Sequence, residues 1–163
     1  MFDKSELITL MGAIVIFSIL LINVNSFMGT SGRLQLQSEL DYTAIALAQN
    51  IIDSARLKAF DESETGGKSP QDIPIDFSIP LAPETGENSK TFNDFDDYNN
   101  YSRIDTTEHE IYTTSVKVDY VNDTSLDQHS ATQTTHKRMT VSVFSNSMQD
   151  TVKFTFIKTF YSK

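Results

Sequence analysis

Apolar residues dominate the beginning of the chain, and they follow neither a helical nor a strand period. No residue from Leu7 to Gly32 is charged. A helix that is apolar on all sides needs lipid or a protein core around it. These 26 residues would extend roughly 39 Å at the helical rise, which is enough to cross a hydrocarbon core of about 30 Å. The pattern predicts a hydrophobic helix within residues 1–32 that either spans a membrane or lies in a protein core.

A cleaved secretory signal is the main alternative for this segment, because the apolar core is short and Lys4 precedes it. Signal peptides have a basic N-terminal region and a small-x-small cleavage site. Asp3 and Glu6 disturb the first feature, and residues 25–29 offer no good version of the second. We therefore expect the helix to be retained.

The pattern that follows is that of an amphipathic helix within residues 33–60. Polar side chains fall mostly on one face, so the opposite face can pack against a globular head. The apolar face repeats at steps of three or four residues through Leu36, Leu40, Ala44, Leu47, Ile51 and Ala55.

Weak helix formers separate the two halves. Asn23, Asn25, Gly29 and Gly32 compete with helical hydrogen bonding or loosen it. We expect the helix to fray there, and regular helical hydrogen bonding to be lost when the chain is assembled.

After residue 60 the chain becomes polar and rich in turn-forming residues. Glycine and proline punctuate a stretch of Ser, Asp, Glu and Asn that has no period, which predicts a connecting loop over 61–110. Alternating apolar and polar residues then predict three antiparallel strands within 111–120, 139–145 and 152–159.

The predicted head, residues 111–163, is therefore a small antiparallel sheet. One face of that sheet has to pack on apolar surface, and the stripe of the second helix is the only large candidate in the sequence. The fold class that follows is α+β, with a long N-terminal helix, first apolar and then amphipathic, packed on the sheet.

Composition removes several classes of function. The chain has 13 basic and 22 acidic residues, a formal net charge of -9, so a nucleic-acid partner bound through a basic patch is not expected. It has no cysteine, which excludes disulfides, thiolate metal sites and cysteine nucleophiles. No serine stands in a Gly-x-Ser-x-Gly elbow and no glycine-rich phosphate loop is present. We do not expect an enzyme.

A calcium site is the one cofactor candidate. Asp94, Asp96 and Asp97 lie close together in the connection, and calcium takes several oxygen ligands from a flexible loop. Their spacing matches no EF-hand. The alternative is an acidic loop that aromatic residues anchor to the sheet, namely Phe92, Phe95 and Tyr98.

Two sequence triplets are candidate glycosylation acceptors. Asn100 and Asn122 each precede a hydroxyl residue by two positions. Such triplets are common by chance, and a hydroxyl-rich surface also suits an outward-facing sheet.

The beginning Phe2-Asp3-Lys4-Ser5-Glu6-Leu7-Ile8-Thr9-Leu10 resembles the mature start of type IV pilins and type II secretion pseudopilins. That family typically has an aromatic first residue and a glutamate four places later. The resemblance covers roughly residues 2–60 by motif and the remainder only by architecture. It implies a structural subunit of an extracellular helical filament for surface adhesion, motility or secretion. The partners implied are copies of the chain, a pilus assembly machinery, and the inner membrane before assembly.

Glu6 has a physical role in such a filament. A buried carboxylate beside an apolar run is costly unless it is paired, and in a bundle of these helices the nearest cation is a neighbouring subunit's terminal amine. Phe2 and Glu6 are therefore the candidate assembly residues. The alternative places Glu6 in the lipid headgroup zone, where the helix dipole favours a negative charge.

The sequence departs from the family pattern at two points. Only Met1 precedes Phe2, where family members carry a short basic leader ending in glycine, and Asn23 stands where many members have a kinking proline. We expect either a leader that this sequence omits or assembly without ordinary processing. Two other functions stay open: a membrane-anchored extracytoplasmic binding module, and a minor pseudopilin of a type II secretion system.

Overall fold

The computed structural model describes residues 3–108 and 110–161. A long helix, α1, spans Lys4–Arg56, and two short 3₁₀ segments follow it, Glu62–Gly67 and Asp96–Tyr98. Five strands complete the described chain: β1 Ser102–Thr106, β2 Ile111–Asn122, β3 Ser125–His129, β4 His136–Ser145 and β5 Val152–Thr159. The predicted α+β class is confirmed. The chain divides into two compact units, with the boundary between Glu39 and Leu40.

The first unit is the apolar part of α1. Hydroxyl side chains within it bond to the carbonyl four residues earlier, as Thr9 does to Ser5 at 2.9 Å and Ser18 does to Ile14 at 2.8 Å. A hydroxyl satisfied inside its own helix can enter an apolar environment at low cost. By length and composition this helix can cross a membrane.

The helix continues without a break through the segment from Asn23 to Gly32. The expected fraying is therefore wrong for the single chain, because a helix tolerates Gly at a cost of about 1 kcal/mol and Asn at somewhat less. Loss of helical hydrogen bonding on assembly concerns the filament and stays a prediction. Leu36 also differs from expectation, since it is 53% exposed.

The second unit, the head, begins with the last turns of α1. The buried face of this part follows the predicted stripe through Leu40, Ala44, Ala48, Ile51 and Ala55. Three of these five residues are alanine, so the helix backbone can lie close to the sheet. The helix ends at Arg56, whose carbonyl oxygen accepts a hydrogen bond from Lys158 Nζ at 3.2 Å.

The main sheet is antiparallel with strand order β1-β2-β4-β5. β2 and β4 pair from Tyr112 opposite Ser145 to Tyr120 opposite Lys137. The face that the sequence predicts to be apolar packs on α1: Tyr112, Val116, Val118, Met139, Val141 and Val143 are all buried in one core with the helix stripe. The predicted packing of helix on sheet is confirmed within the head.

Two strands were not predicted from the sequence. β1 lies within the predicted connecting loop, and β3 lies in the polar stretch between the first two predicted strands. Neither strand has a buried face, and Ile104, the apolar residue of β1, is 68% exposed. Apolar alternation is therefore missing, and pairing with β2 alone defines both strands.

Candidate functional site

The predicted assembly residues belong to the beginning of α1. Phe2 lies outside the described residues. Glu6 is exposed in the first turn, and its Oε2 accepts a hydrogen bond from the backbone N–H of Asp3 at 3.2 Å. This is half of a capping box, in which a glutamate satisfies a free N–H at a helix start. The role of Glu6 between subunits stays a prediction.

In the head, two segments of the long connection run side by side after α1 ends. Lys58 Nζ donates a hydrogen bond to the carbonyl of Phe92 at 2.6 Å, and the N–H of Ala59 donates to the carbonyl of Asn93 at 3.2 Å. Ala59 and Asp94 form a parallel bridge. These contacts bring the first 3₁₀ segment next to the predicted calcium loop.

Aromatic side chains hold that loop on the sheet. Phe92, Phe95 and Tyr98 are each at most 7% exposed and belong to the main core. The centroid of Phe95 lies 6.1 Å from that of Phe156 on β5. The predicted anchoring role of these residues is confirmed, and it positions the aspartates between them.

A buried lysine engages one of the three predicted aspartates. Lys137 Nζ donates hydrogen bonds to Asp96 Oδ1 at 2.6 Å, to Asp61 Oδ2 at 2.7 Å and to the carbonyl of Phe60 at 2.9 Å. An ammonium group has three donors, so all are used. The three charged side chains are fully buried. Asp96 thus belongs to an internal ion-pair network.

The same ion-pair network shifts the pKa values of its two carboxylates, Asp61 and Asp96. Burial alone would raise the pKa of Asp61, but the charge of Lys137 and the hydrogen bonds from Lys137, Ser78 and Ser63 hold that pKa below its ordinary value. Burial raises the pKa of Asp96 despite the opposing effect of Lys137. The single cation therefore stabilises Asp61 more fully than Asp96.

Five other carboxylates converge in the connection. Glu62, Glu84 and Asp94 each place one ligand oxygen within 4.8 Å of the others, and Glu84, Glu87 and Asp97 do the same. We call these five residues the acidic cluster. Glu84 belongs to both groups and so lies at its centre. Of the predicted calcium residues, the structure places Asp94 and Asp97 here and directs Asp96 to Lys137.

Backbone amides hold the two aspartates of the acidic cluster. Asp94 Oδ1 accepts hydrogen bonds from the N–H groups of Asp96 at 3.0 Å and Asp97 at 3.1 Å. Asp97 Oδ2 accepts from Asn93 N–H at 2.7 Å and Asp94 N–H at 3.0 Å. One oxygen of each carboxylate is thus engaged and determines how the side chain lies.

The second oxygens have no such partner. Asp94 Oδ2 and Asp97 Oδ1 are buried and accept no hydrogen bond from any residue that the structure describes. The same holds within that part of the chain for Glu62 Oε2, Glu84 Oε2 and Asn93 Oδ1. A group of buried oxygens without donors is costly unless a cation or protons satisfy them.

The electrostatics of the acidic cluster follow from this arrangement. Burial, together with the charges of Asp96 and Asp97, raises the pKa of Asp94 to about 9. Burial and contact with Asp97 and Glu84 raise the pKa of Glu87 to about 7. Two carboxylates in contact attract each other only if one keeps its proton or a cation lies between them.

Sequence reasoning missed Asp61, Lys137 and the three glutamates of the acidic cluster. Glu62, Glu84 and Glu87 lie in the aperiodic connection, where the only signal is the short Glu84-x-x-Glu87 spacing. Lys137 left a clearer signal, because it precedes Met139 by two positions and so falls on the buried face of its strand. A lysine in that phase requires buried carboxylates as partners.

The two candidate glycosylation residues are both exposed. Asn100 has a left-handed backbone with φ of 61°. Asn122 is the last residue of β2, and its Oδ1 accepts hydrogen bonds from the N–H and the hydroxyl of Thr124 at 3.0 and 2.8 Å. Modification at either residue stays a prediction.

Comparison of the chain with protein families, with curated proteins and with solved structures finds no match. The architecture, a long N-terminal apolar helix and an antiparallel sheet against which the later turns of that helix pack, is compatible with a pilin-like fold. Function has to be argued from the residues themselves.

Proposed function

We propose that the chain is a structural subunit of an extracellular type IV pilus-like helical filament and polymerises through its N-terminal hydrophobic helix. Before assembly this helix lies in the inner membrane, with the head outside. It then enters the core of a filament built from copies of the chain, with the help of a pilus assembly machinery.

Exposure of the first unit carries the proposal. The large apolar side chains between Leu7 and Met28 are 49–72% exposed. Leaving one such side chain in water costs about 1.5–3 kcal/mol relative to burying it. This surface needs lipid or copies of the same helix around it.

The charge at the helix start favours copies over lipid as the final environment. Glu6 directly precedes the 26 charge-free residues, so it lies at the edge of the hydrocarbon core while the helix spans a membrane. A filament core would instead bury this carboxylate, and a buried carboxylate needs a partner. In a filament, a terminal amine of a neighbouring subunit can neutralise it. A helix that serves only as an anchor has no use for this pairing.

The second candidate is a membrane-anchored binding module, and one feature of the head favours it. A surface pocket of about 290 Å³ is lined by Leu81, Val118 and Tyr120 among others. A tethered head with a ligand in this pocket would need no polymer. A minor pseudopilin of a secretion system shares the filament chemistry and differs in copy number.

The proposal can be tested by electron microscopy of filaments sheared from cells. Mass spectrometry identifies the protein content of these filaments. We expect residues 2–28 to be buried between subunits, and regular helical hydrogen bonding to be lost somewhere between Asn23 and Gly32. If the chain stays in the membrane fraction as a monomer under all conditions, the anchored module is favoured. A continuous helix in a filament map would remove only the melting prediction.

A further inference from the structure

We propose that the acidic cluster is a calcium site of the head, with ligand oxygens from Glu62, Glu84, Glu87, Asp94 and Asp97. This inference does not depend on the filament, because every ligand belongs to the head. Glu84 is the shared ligand of the two groups of oxygens.

The spacing of the oxygens fits a hard cation of this size. Calcium binds oxygen at 2.3–2.6 Å, so two ligands of one ion lie at most about 5.2 Å apart. One oxygen from each of Glu62, Glu84 and Asp94 meets this limit, as does one from each of Glu84, Glu87 and Asp97. Each group can therefore contribute three ligands to an ion.

The buried aspartates point to a ligand independently of that spacing. Asp94 and Asp97 are fully buried. In each of them one oxygen accepts two backbone N–H groups, whereas the other has no partner among the described residues. Backbone bonds of this kind orient a carboxylate before the metal binds and fix the free oxygen in place.

The charge of the acidic cluster favours a divalent cation over a monovalent one. The five carboxylates carry up to five negative charges, and the ion pair that the described residues offer them is Lys68 with Glu62 at 3.4 Å, on a lysine side chain that is 65% exposed. Lys137 is already engaged by Asp61 and Asp96. A divalent ion offsets more of this charge than a monovalent ion and can contact several carboxylates at once.

The donor set selects calcium among the divalent ions. All the candidate ligands are carboxylate oxygens, whereas zinc prefers nitrogen and sulfur. Magnesium keeps several of its waters and is usually held by only one or two carboxylates. Calcium accepts oxygen ligands in flexible geometry and readily takes several carboxylates from a loop. Each group of the acidic cluster offers it three of them.

Bound calcium would join three separate parts of the connection. Glu62 follows α1, Glu84 and Glu87 lie in the Pro/Gly-rich stretch, and Asp94 and Asp97 precede β1. These parts carry little regular structure, so cross-linking them through one centre lowers their freedom in the folded head. We expect calcium to stabilise the head.

The test uses the full-length chain in detergent micelles, from which metal has been removed with EDTA. It compares thermal unfolding of the head with and without added calcium. Tyr98, Tyr112 and Tyr120 are buried in the head, so near-ultraviolet circular dichroism follows head unfolding separately from the apolar helix. At calcium about a hundredfold above its dissociation constant, we expect the midpoint of unfolding to rise by about 5–10 °C. Magnesium at the same concentration should raise it by less than 2 °C, roughly one-quarter of that effect.

The matched variants are Glu84→Gln, with Glu108→Gln as control. Glu108 is exposed in the turn between β1 and β2. Glu84→Gln should lose the calcium response and be at least as stable as the wild type in EDTA, because it removes a repelling charge. Glu108→Gln should keep the full response. Glu87→Gln repeats the test at a second ligand.

Terbium supplies a readout that needs no variant. It occupies calcium sites, and the chain has no tryptophan, so its luminescence has to be sensitised by tyrosine, here Tyr98 next to Asp97. We expect luminescence that saturates at one or two ions per chain and that calcium displaces. An unchanged wild-type midpoint in calcium, an equal response to magnesium, or an undiminished response in Glu84→Gln would each overturn the proposal.

Discussion

The apolar residues of the first unit and those of the head have opposite environments. In the first unit Phe17 is 61% exposed, whereas in the head Phe95 is fully buried. The difference comes from how the apolar residues are arranged. They lie on all sides of α1 in the first unit, but in the head they form one stripe on the later turns of α1 and one face of the sheet. Apolar surface on one side of an element can be buried within a single chain, whereas apolar surface on all sides of a helix needs other molecules to bury it.

Charged residues show the reverse contrast. The first unit is free of charge from Leu7 to Gly32, whereas the described part of the head buries Lys137 and five aspartates. An ion pair is maintained in a protein interior only where partners are held in good geometry. The head can do this because loops from several parts of the chain meet on its sheet. The two regions should therefore respond differently to substitution.

The largest effect should come from Glu6→Gln in the first unit. Glutamine keeps an oxygen that can accept the hydrogen bond from Asp3 N–H, so the helix start is preserved while the charge is lost. Membrane insertion should be unchanged or improved. Filaments should fail to assemble, because deleting one partner of a buried pair costs about 3–5 kcal/mol at every subunit. The amount of monomer in the membrane fraction measures insertion, and the yield of sheared filaments relative to that amount measures assembly.

Asp3→Asn is the control for that experiment, since it removes a charge three residues away and keeps hydrogen-bond acceptors. It should assemble normally. If Glu6→Gln also gives wild-type filament yield, Glu6 is a helix-start residue at the membrane surface and has no role in register.

In the head, Lys137→Met should cost about 3–5 kcal/mol of unfolding free energy, because it leaves Asp61 and Asp96 buried without their cation. Lys153→Met, on an exposed residue of β5, is the control and should stay within about 0.5 kcal/mol of wild type. Unfolding of the head with denaturant gives the free energy of unfolding of each variant. Equal stability of the two variants would contradict the importance of the ion-pair network.

The close contact of α1 with the sheet predicts a smaller effect. Ala48→Leu inserts a large side chain at a fully buried position and should destabilise the head by about 1–3 kcal/mol. Ala46→Leu, two residues earlier and exposed, should change the unfolding free energy by less than about 0.5 kcal/mol. A shift of equal size in both would mean that the small residues on the helix face do not set its distance from the sheet.

The smallest effect concerns alkaline pH. Burial lowers the pKa of Lys158 from 10.5 to about 8. Between these values the unfolded chain binds more protons than the folded one, so this lysine makes the head more stable as pH rises from 8 to 10.5. Lys158→Met should remove that contribution, and Lys153→Met should keep it. The measurement is the free energy of unfolding of the wild type and the two variants from pH 7 to 11 at fixed calcium concentration. Identical pH profiles for the wild type and Lys158→Met would contradict the prediction.

The elements with a one-sided or all-round apolar pattern could be predicted from the sequence. The stripe of Leu40, Ala44, Ile51 and Ala55 is buried as expected, and so is the alternating face of β2 and β4. Such periods reflect local backbone geometry, which brings every third or fourth residue of a helix, or every second residue of a strand, to one side. No knowledge of distant contacts is required to recognise them.

The sequence by itself therefore determined the exposed apolar helix, the helix stripe, the three main strands and the acidic character of the loop that contains Asp94, Asp96 and Asp97. Only tertiary structure decided that β1 and β3 pair with β2, that Asp96 binds Lys137, and that Glu62 and Glu84 join Asp94. The reason is physical. Backbone pairing at an edge strand and the meeting of carboxylates from distant loops depend on where the whole chain passes, and they leave no period in the order of residues.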